Sequence, residues 1–277
     1  MPKVRKGRQT PTKSIVLPYA ETRGQEAIDL YNGSGRTAQE WQELQTYDIL
    51  AVNADGLWVH TKYGEEIPRR NGKNEVVVIR EMWGLTHGEK ILHTAHRTTT
   101  STSAARRLAA RLVGAGYEEV ARIKKGEKYD KHFTYTKQLG MERIVLLGEG
   151  GGTIDFRTRS SSGGLGEGFD LLVIDEAQDM SALGFLAVKQ LTAMDTFTVV
   201  GDVRQKIKGT THHSMMDVWG KVLSSAEQKQ VRYYELHRSY RSTKEIMDYA
   251  RGILGIQGQD QIQAIDRSGK PVDFWEV

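Results

Sequence analysis

Four consecutive apolar residues, Leu171–Ile174, run straight into two adjacent carboxylates, Asp175 and Glu176. A strand without polar alternation must be covered on both faces, which places it in a parallel sheet packed between helices. The C-terminal end of such a strand opens onto the crevice where ligands bind. In that position Asp175 suits a Mg2+ ion, held directly or through water, and Glu176 suits the polarisation of an attacking water. A solvated acidic turn is the simpler account of the two acids alone, but it does not predict the second feature of the chain.

That feature lies about a hundred residues upstream, in IPRRNGKNEVVVIREMWG. Gly72 and Lys73 stand where an extended piece gives way to a helical pattern, with Val76, Ile79, Met82 and Trp83 on one side. A turn entering a helix exposes free backbone N–H groups at the positive end of the helix dipole, which suits phosphate oxygens. Gly72 lets the backbone approach closely, Lys73 supplies a point charge to the β- and γ-phosphates, and Arg69 and Arg70 add charge beside it. The usual phosphate-loop pattern is G-x-x-x-x-G-K-[ST]. Here its first glycine falls at Ile67 and its hydroxyl position holds Asn74. Alone, the segment reads more readily as a glycine turn capping a surface helix, since glycine–lysine pairs are common. Paired with LLVIDEA, it reads as a nucleotide site.

The rest of the chain alternates strands with helices, which implies a mainly parallel sheet covered on both faces. Helices are expected over TAQEWQELQTYDIL, the Ser/Thr-led stretch TTTSTSAARRLAARLVGAG, 181–194, 215–223 and 242–254. KILHTA, TFTVVGD, RYYEL and PVDFWEV read as strands, and RIVLLGEGGGTIDFRTRS as a hairpin. LWVHTKYGEEIP reads as short extended pieces around a turn at Gly64, and GEKYDKHFTYTKQLG is polar and has no clear period.

Composition narrows the partners. The chain has 277 residues, no cysteine, a net charge of +4 and a pI near 9.1. Disulfides, thiolate zinc sites and cysteine nucleophiles are thereby excluded. His212 and His213 are adjacent on a loop, a poor spacing for one metal ion. The basic residues cluster at 3–8, 69–73, 106–111 and 122–131. Such clusters suit a polyanion only mildly, and the arginines at 106, 107 and 111 serve a solvated helix face or a phosphate-contacting one equally well. Trp58, Trp83 and Trp219 read as core. No run of about eighteen apolar residues predicts a membrane span. The basic N-terminus lacks the apolar core of a secretory signal and reads as a flexible arm, so a cytoplasmic protein is expected.

From EWQELQ through IPRRNGKNE and KILHTAH to TIDFRTRSSSGGLGEGFDLLVIDEAQ, residues 39–180 resemble the ATPase part of a phage terminase large subunit. That family packages DNA into proheads, and its RNGKNE-type loops function without the first glycine or the hydroxyl. The resemblance implies ATP and Mg2+ as ligands. It makes Gln42 the adenine-side glutamine, residues 69–74 (Arg69, Arg70, Asn71, Gly72, Lys73 and Asn74) the Walker A loop, and Asp175 and Glu176 the Walker B metal and water residues. Either Arg69 or Arg70 would be an arginine sensor in cis, and Asn74 a weak Mg2+ ligand.

Residues 169–277 depart from that family. TFTVVGDVRQKI and YYELHRSYRSTKEIMDYARGIL resemble a superfamily 1 helicase of the UvrD/helicase IV kind, DEAQD being common to both. This second resemblance implies that Gln205 senses the γ-phosphate and that Arg241 reaches it from a second motor domain. No segment after 180 resembles the terminase nuclease, and the later helicase motifs are not seen. The expectation is an α/β P-loop NTPase of the additional-strand type, with a mainly parallel sheet flanked by helices and a short helicase-like C-terminal appendage. Its divisions are a basic arm at 1–18, an ATPase domain at 19–230 and a partial second domain from 231 to 277. The expected function is a DNA motor ATPase acting on duplex or single-stranded DNA. Portal and small terminase subunit are its partners if it packages, as a homo-oligomer in the host cytoplasm. A helicase fragment, or a chain that binds nucleotide without turnover, are the alternatives.

Overall fold

The computed structural model describes residues 9–11, 13–14, 17–66, 72–158, 168–177, 180, 182–189, 197–201, 215–228, 231–235, 238–239, 243–254, 263–264 and 268–269. Strands β1 (Lys13–Ser14) and β2 (Glu21–Thr22) precede helices α1 (Gly24–Asn32) and α2 (Glu40–Ile49). Strands β3 (Ala51–Val52) and β4 (Lys62–Glu66) lead to α3 (Lys73–Thr86), β5 (Lys90–Ala95) and α4 (Thr98–Gly114). Five strands follow: β6 (Glu118–Glu119), β7 (His132–Thr136), β8 (Arg143–Leu147), β9 (Thr153–Thr158) and β10 (Leu171–Ile174). Next come α5 (Ala182–Lys189), β11 (Phe197–Gly201), α6 (Met215–Val222), α7 (Ser225–Gln228) and β12 (Val231–Glu235). The last described elements are β13 (Arg238–Ser239), α8 (Lys244–Leu254) and β14 (Gln263–Ala264).

Among the described residues, ten strands form one sheet in the order β1-β12-β4-β11-β10-β5-β9-β8-β7-β6. From β12 to β9 every neighbouring pair is parallel. The expected hairpin is the antiparallel β8–β9 pair, and β7 extends it antiparallel to β8. Between β4, which leads to the glycine–lysine pair, and β10, which ends in the acids, lies a single strand, β11. This is the additional-strand order of an α/β P-loop NTPase.

Two local readings change. Gly64 is no turn: β4 runs straight through it, because β11 and β12 pair with it from both sides at Val199 and Tyr233. The unplaced polar stretch contains β7, whose one fully buried side chain, Phe133, is the apolar signal that periodicity could not register. Strand β12, the opening of the segment set apart at residue 231, belongs to the central sheet, and β1 of the basic arm pairs with it.

The apolar run of β10 has the purpose its pattern implies. Leu171 and Val173 join a core with Val76, Ile79, Met82 and Leu108 of α3 and α4. Leu172 and Ile174 join a second core on the opposite face, with Phe185 of α5 and Val218 and Val222 of α6. Alternate residues of a strand point to opposite faces, so only a strand covered twice needs four apolar residues in a row. Trp83 is buried, Trp58 packs half-buried against it, and the Trp219 side chain lies outside the described residues. Among the described residues no helix is long and apolar enough to cross a membrane.

Candidate nucleotide site

Helix α3 begins at Lys73 directly after Gly72, which caps it with φ 87° and ψ 18°. This left-handed conformation is open to glycine at little cost and strains other residues by about 1–2 kcal/mol. Gln42 of α2 reaches across to the same turn. Its Nε2 donates to the Gly72 carbonyl at 3.2 Å, while its Oε1 accepts the Gln39 N–H at 2.9 Å. The glutamine predicted to face adenine ties the glycine–lysine turn to α2. Because Gln42 is buried, this bond is shielded from competing water.

The parallel register carries Asp175 and Glu176 to the same edge. The Lys73 ammonium lies 3.5 Å from Asp175 Oδ1 and 3.5 Å from Glu176 Oε1. Asp175 is buried, whereas the Glu176 side chain is 31% exposed, enough to meet a water on the open side. Glu176 has φ 53°, a left-handed backbone that is rare outside glycine and sustained only by surrounding contacts. Its N–H donates to Asp175 Oδ1 at 2.8 Å, and the Asp175 N–H donates to the Thr94 carbonyl of β5 at 2.9 Å. The first of these bonds orients the Asp175 carboxylate, and the second ties the end of β10 to β5.

Gln42, Gly72, Lys73, Asp175 and Glu176 thus come together, and Asn74 lines a small cavity beside Asp175. Arg69, Arg70, Asn71, Gln205 and Arg241 lie outside the described residues. The arginines of α4 diverge: Arg106 is exposed, Arg107 lines the cavity beside Asp175, and Arg111 lies 3.6 Å from Glu75. Glu75 also accepts the Tyr31 hydroxyl at 2.6 Å; burial first, then this carboxylate, push the phenol's pKa up.

A fit for Mg2+ can be read from the donors. Asp175 and Glu176 offer carboxylates and Asn74 an amide, all hard oxygen ligands. Among the described residues no group of three or more His, Asp or Glu side chains gathers into a cage. Mg2+ is commonly held by one or two carboxylates, with substrate phosphates and waters completing its shell. The donor set fits that ion.

Sequence reading missed Glu65, which is 2% exposed on β4. Neither of its oxygens has hydrogen-bond geometry to a described group, although the Tyr63 hydroxyl is close enough to lower its pKa slightly. Burial dominates and, helped by Asp175, pushes the carboxyl up to about 8 against the pull of Lys73. The folded chain therefore keeps a proton that the unfolded chain releases near pH 4.5. Its stability is full below that pH, falls as pH rises through the window, and falls no further above about 8. Glu65→Gln removes this slope. Melting curves from about pH 4 to 9 should show near-equal stability at the acid end, with the variant ahead by a few kcal/mol, at roughly 1.4 per pKa unit, at the alkaline end. Parallel curves would refute the assignment. The available signal was a carboxylate beside Tyr63 and Gly64, just upstream of the loop, in YGEE.

No family model and no curated protein matches the chain. Among solved structures it is similar to the large terminase of bacteriophage HK97, with a TM-score of 0.55 and 10% identity, covering 81% of this chain and 46% of that one. It is also similar to the large terminase ATPase domain of Thermus phage P74-26, with a TM-score of 0.46 and 11% identity, covering 81% and 88%. The PRRSV helicase is similar at a TM-score of 0.39 and 15% identity, covering 74% and 36%. The shared fold rests on the first of these, and the chain spans about half the length of the HK97 protein.

Proposed function

We propose that the chain is an ATPase of the large-terminase kind, the nucleotide-driven part of a phage DNA-packaging motor. The observation that carries this reading is the convergence of Lys73 on Asp175 and Glu176 at the C-terminal edge of the parallel sheet. An ammonium between two carboxylates is where a phosphate chain and its counter-ion exchange places with them. Lys73 and the free N–H groups at the start of α3 then neutralise the β- and γ-phosphates. Asp175 and Asn74 hold Mg2+, which when bound supplies further positive charge to the phosphate oxygens. Glu176 orients the attacking water and takes up its proton. Gln42 keeps the phosphate turn in place and borders the adenine. Arg69 or Arg70 acts as sensor in cis, and Gln205 and Arg241 report the γ-phosphate to the DNA-binding surface.

In this reading residues 19–230 form the ATPase domain, 1–18 a basic arm, and 231–277 the start of a second, helicase-like unit whose first strand joins the sheet between β1 and β4. The motor works as a ring of identical subunits, with portal and small terminase subunit as partners. The test is ATP turnover measured with no DNA, with single-stranded DNA and with duplex DNA side by side. Severalfold stimulation by duplex supports a packaging motor, and stimulation by single strands alone replaces it with a superfamily 1-like helicase. Nucleotide binding without phosphate release in all three would overturn the catalytic reading.

A further inference from the structure

Helix α3 starts without a side-chain cap. Gly72 has no side chain to offer, and the first N–H groups of a helix have no partner within it. In the proposed mechanism those groups are kept for phosphate oxygens. The turn is fastened from outside instead. On one side Gln42 Nε2 of α2 and the Glu75 N–H both donate to the Gly72 carbonyl, at 3.2 and 3.0 Å. On the other side the Glu75 carboxylate takes hold of two more helices. Its Oε2 accepts the Tyr31 hydroxyl of α1 at 2.6 Å and lies 3.6 Å from Arg111 Nε of α4. Neither fastening uses an N–H of Lys73 or Asn74, the two residues between them.

An acid in the first turn of a helix is already favoured by the dipole and needs no protein partner. Glu75 is turned inward all the same: its side chain is 24% exposed, and Tyr31 is 2% exposed. A carboxylate drawn out of water needs hydrogen bonds and an opposite charge. A close approach elsewhere delivers both. Helix α4 ends at Gly114 against the turn after α1, where a Cβ would collide with the Ser34 carbonyl, and the Ser34 N–H donates to the Tyr31 carbonyl at 2.9 Å. Apolar residues would pack the three helices as well. They would also avoid a negative charge beside the proposed phosphate site. Stability of the packing therefore does not account for the choice.

We infer that Glu75, fastened to Tyr31 and Arg111, is a positioning residue for the nucleotide site: it holds the uncapped first turn of α3, and with it Lys73 and Asn74, against Asp175 and Glu176. Arg111 at the same time offsets the carboxylate's repulsion of the phosphates. The inference rests on the nucleotide-site reading above.

The test is a double-mutant cycle read in kcat/KM for ATP, with melting temperature measured alongside. Tyr31→Phe keeps the ring and removes only the hydroxyl, Glu75→Ala removes the carboxylate, and Glu75→Gln keeps an oxygen that accepts the same hydroxyl. Glu75→Ala is expected to lower kcat/KM by about 10–100-fold and Tyr31→Phe by about tenfold, the scale of a reacting group misplaced by an ångström. The double variant is expected to be no slower than Glu75→Ala alone, because the hydroxyl acts only through the carboxylate. Glu75→Gln is expected to recover most of the loss. If Glu75→Ala does not fold, Tyr31→Phe and Glu75→Gln carry the test. Melting temperatures that fall while kcat/KM stays within about twofold of wild type would show a purely structural role and overturn the inference alone. Losses that multiply in the double variant would do the same. A wild-type chain that neither binds nor hydrolyses ATP would overturn the site reading and this inference with it.

Discussion

Lys73→Ala and Glu176→Gln each reduce ATP turnover by at least about 10²–10³-fold, the scale of removing one preorganised charge or proton acceptor from a transition state. The two losses differ in kind. Among the described residues Lys73 is the cation 3.5 Å from both acids, so in the proposed mechanism its removal takes away a charge that neutralises the phosphates and weakens nucleotide binding as well as catalysis. Glutamine at 176 keeps the shape and hydrogen-bonding capacity of the side chain but cannot take up a proton. Glu176→Gln should therefore bind ATP close to normally while failing to release phosphate. Phosphate-release kinetics with a fluorescent-nucleotide titration separate the two effects. Wild-type turnover in either variant would refute the mechanism. Because Glu176 holds a left-handed backbone, a Glu176→Gly control asks whether the lost rate comes from the carboxylate or from the strained turn.

Arg80→Ala destabilises the fold by about 3–5 kcal/mol, because it strands a largely buried carboxylate. Arg80 Nη1 and Nη2 reach Glu89 Oε2 and Oε1 at 2.7 and 2.8 Å, and their side chains are only 5% and 13% exposed. The same guanidinium lies 5.7 Å from the Trp58 ring and 5.4 Å from the Trp83 ring, which meet edge to face at 5.6 Å. Gly84 makes room for the pair: a Cβ there would fall 2.2 Å from Glu89 Oε2 and 2.9 Å from Arg80 Nη1. The bridge ties α3, the helix that begins at the glycine–lysine turn, to the turn entering β5. At roughly 2–4 °C per kcal/mol the melting midpoint falls by on the order of 10 °C. Arg80→Lys should recover little, since an ammonium cannot form the two-pronged contact. Equilibrium denaturation reads the effect directly, and a loss below about 1 kcal/mol would show that the pair is dispensable.

Much of this was legible in short windows of sequence. KILHTA is β5 residue for residue, and the Ser/Thr-led, alanine-rich stretch after HTAHR is α4. Both follow from patterns that repeat within one turn or one pleat. Gly72–Lys73 and the acid pair were recognised because a helix start and a strand end are local events. Other features left no local trace. Gly64 suggested a turn, yet two parallel neighbours hold it extended. Glu65 and the Glu81–His93 pair are polar residues whose burial depends on segments far away in the chain.

By itself, the sequence determined that Leu171–Ile174 is covered on both faces, that α3 starts at a glycine–lysine turn, and that two carboxylates end a buried strand. Hydrophobic period and glycine conformation act over a few residues, so a short window suffices. Only the tertiary structure decided that Lys73 meets those carboxylates, that Gln42 clamps the turn, and that Glu65 and His93 sit beneath the site. These depend on β11 entering between β4 and β10, and on the dry environment that the surrounding helices create around each charge. Strand order and desolvation are properties of the whole packed chain.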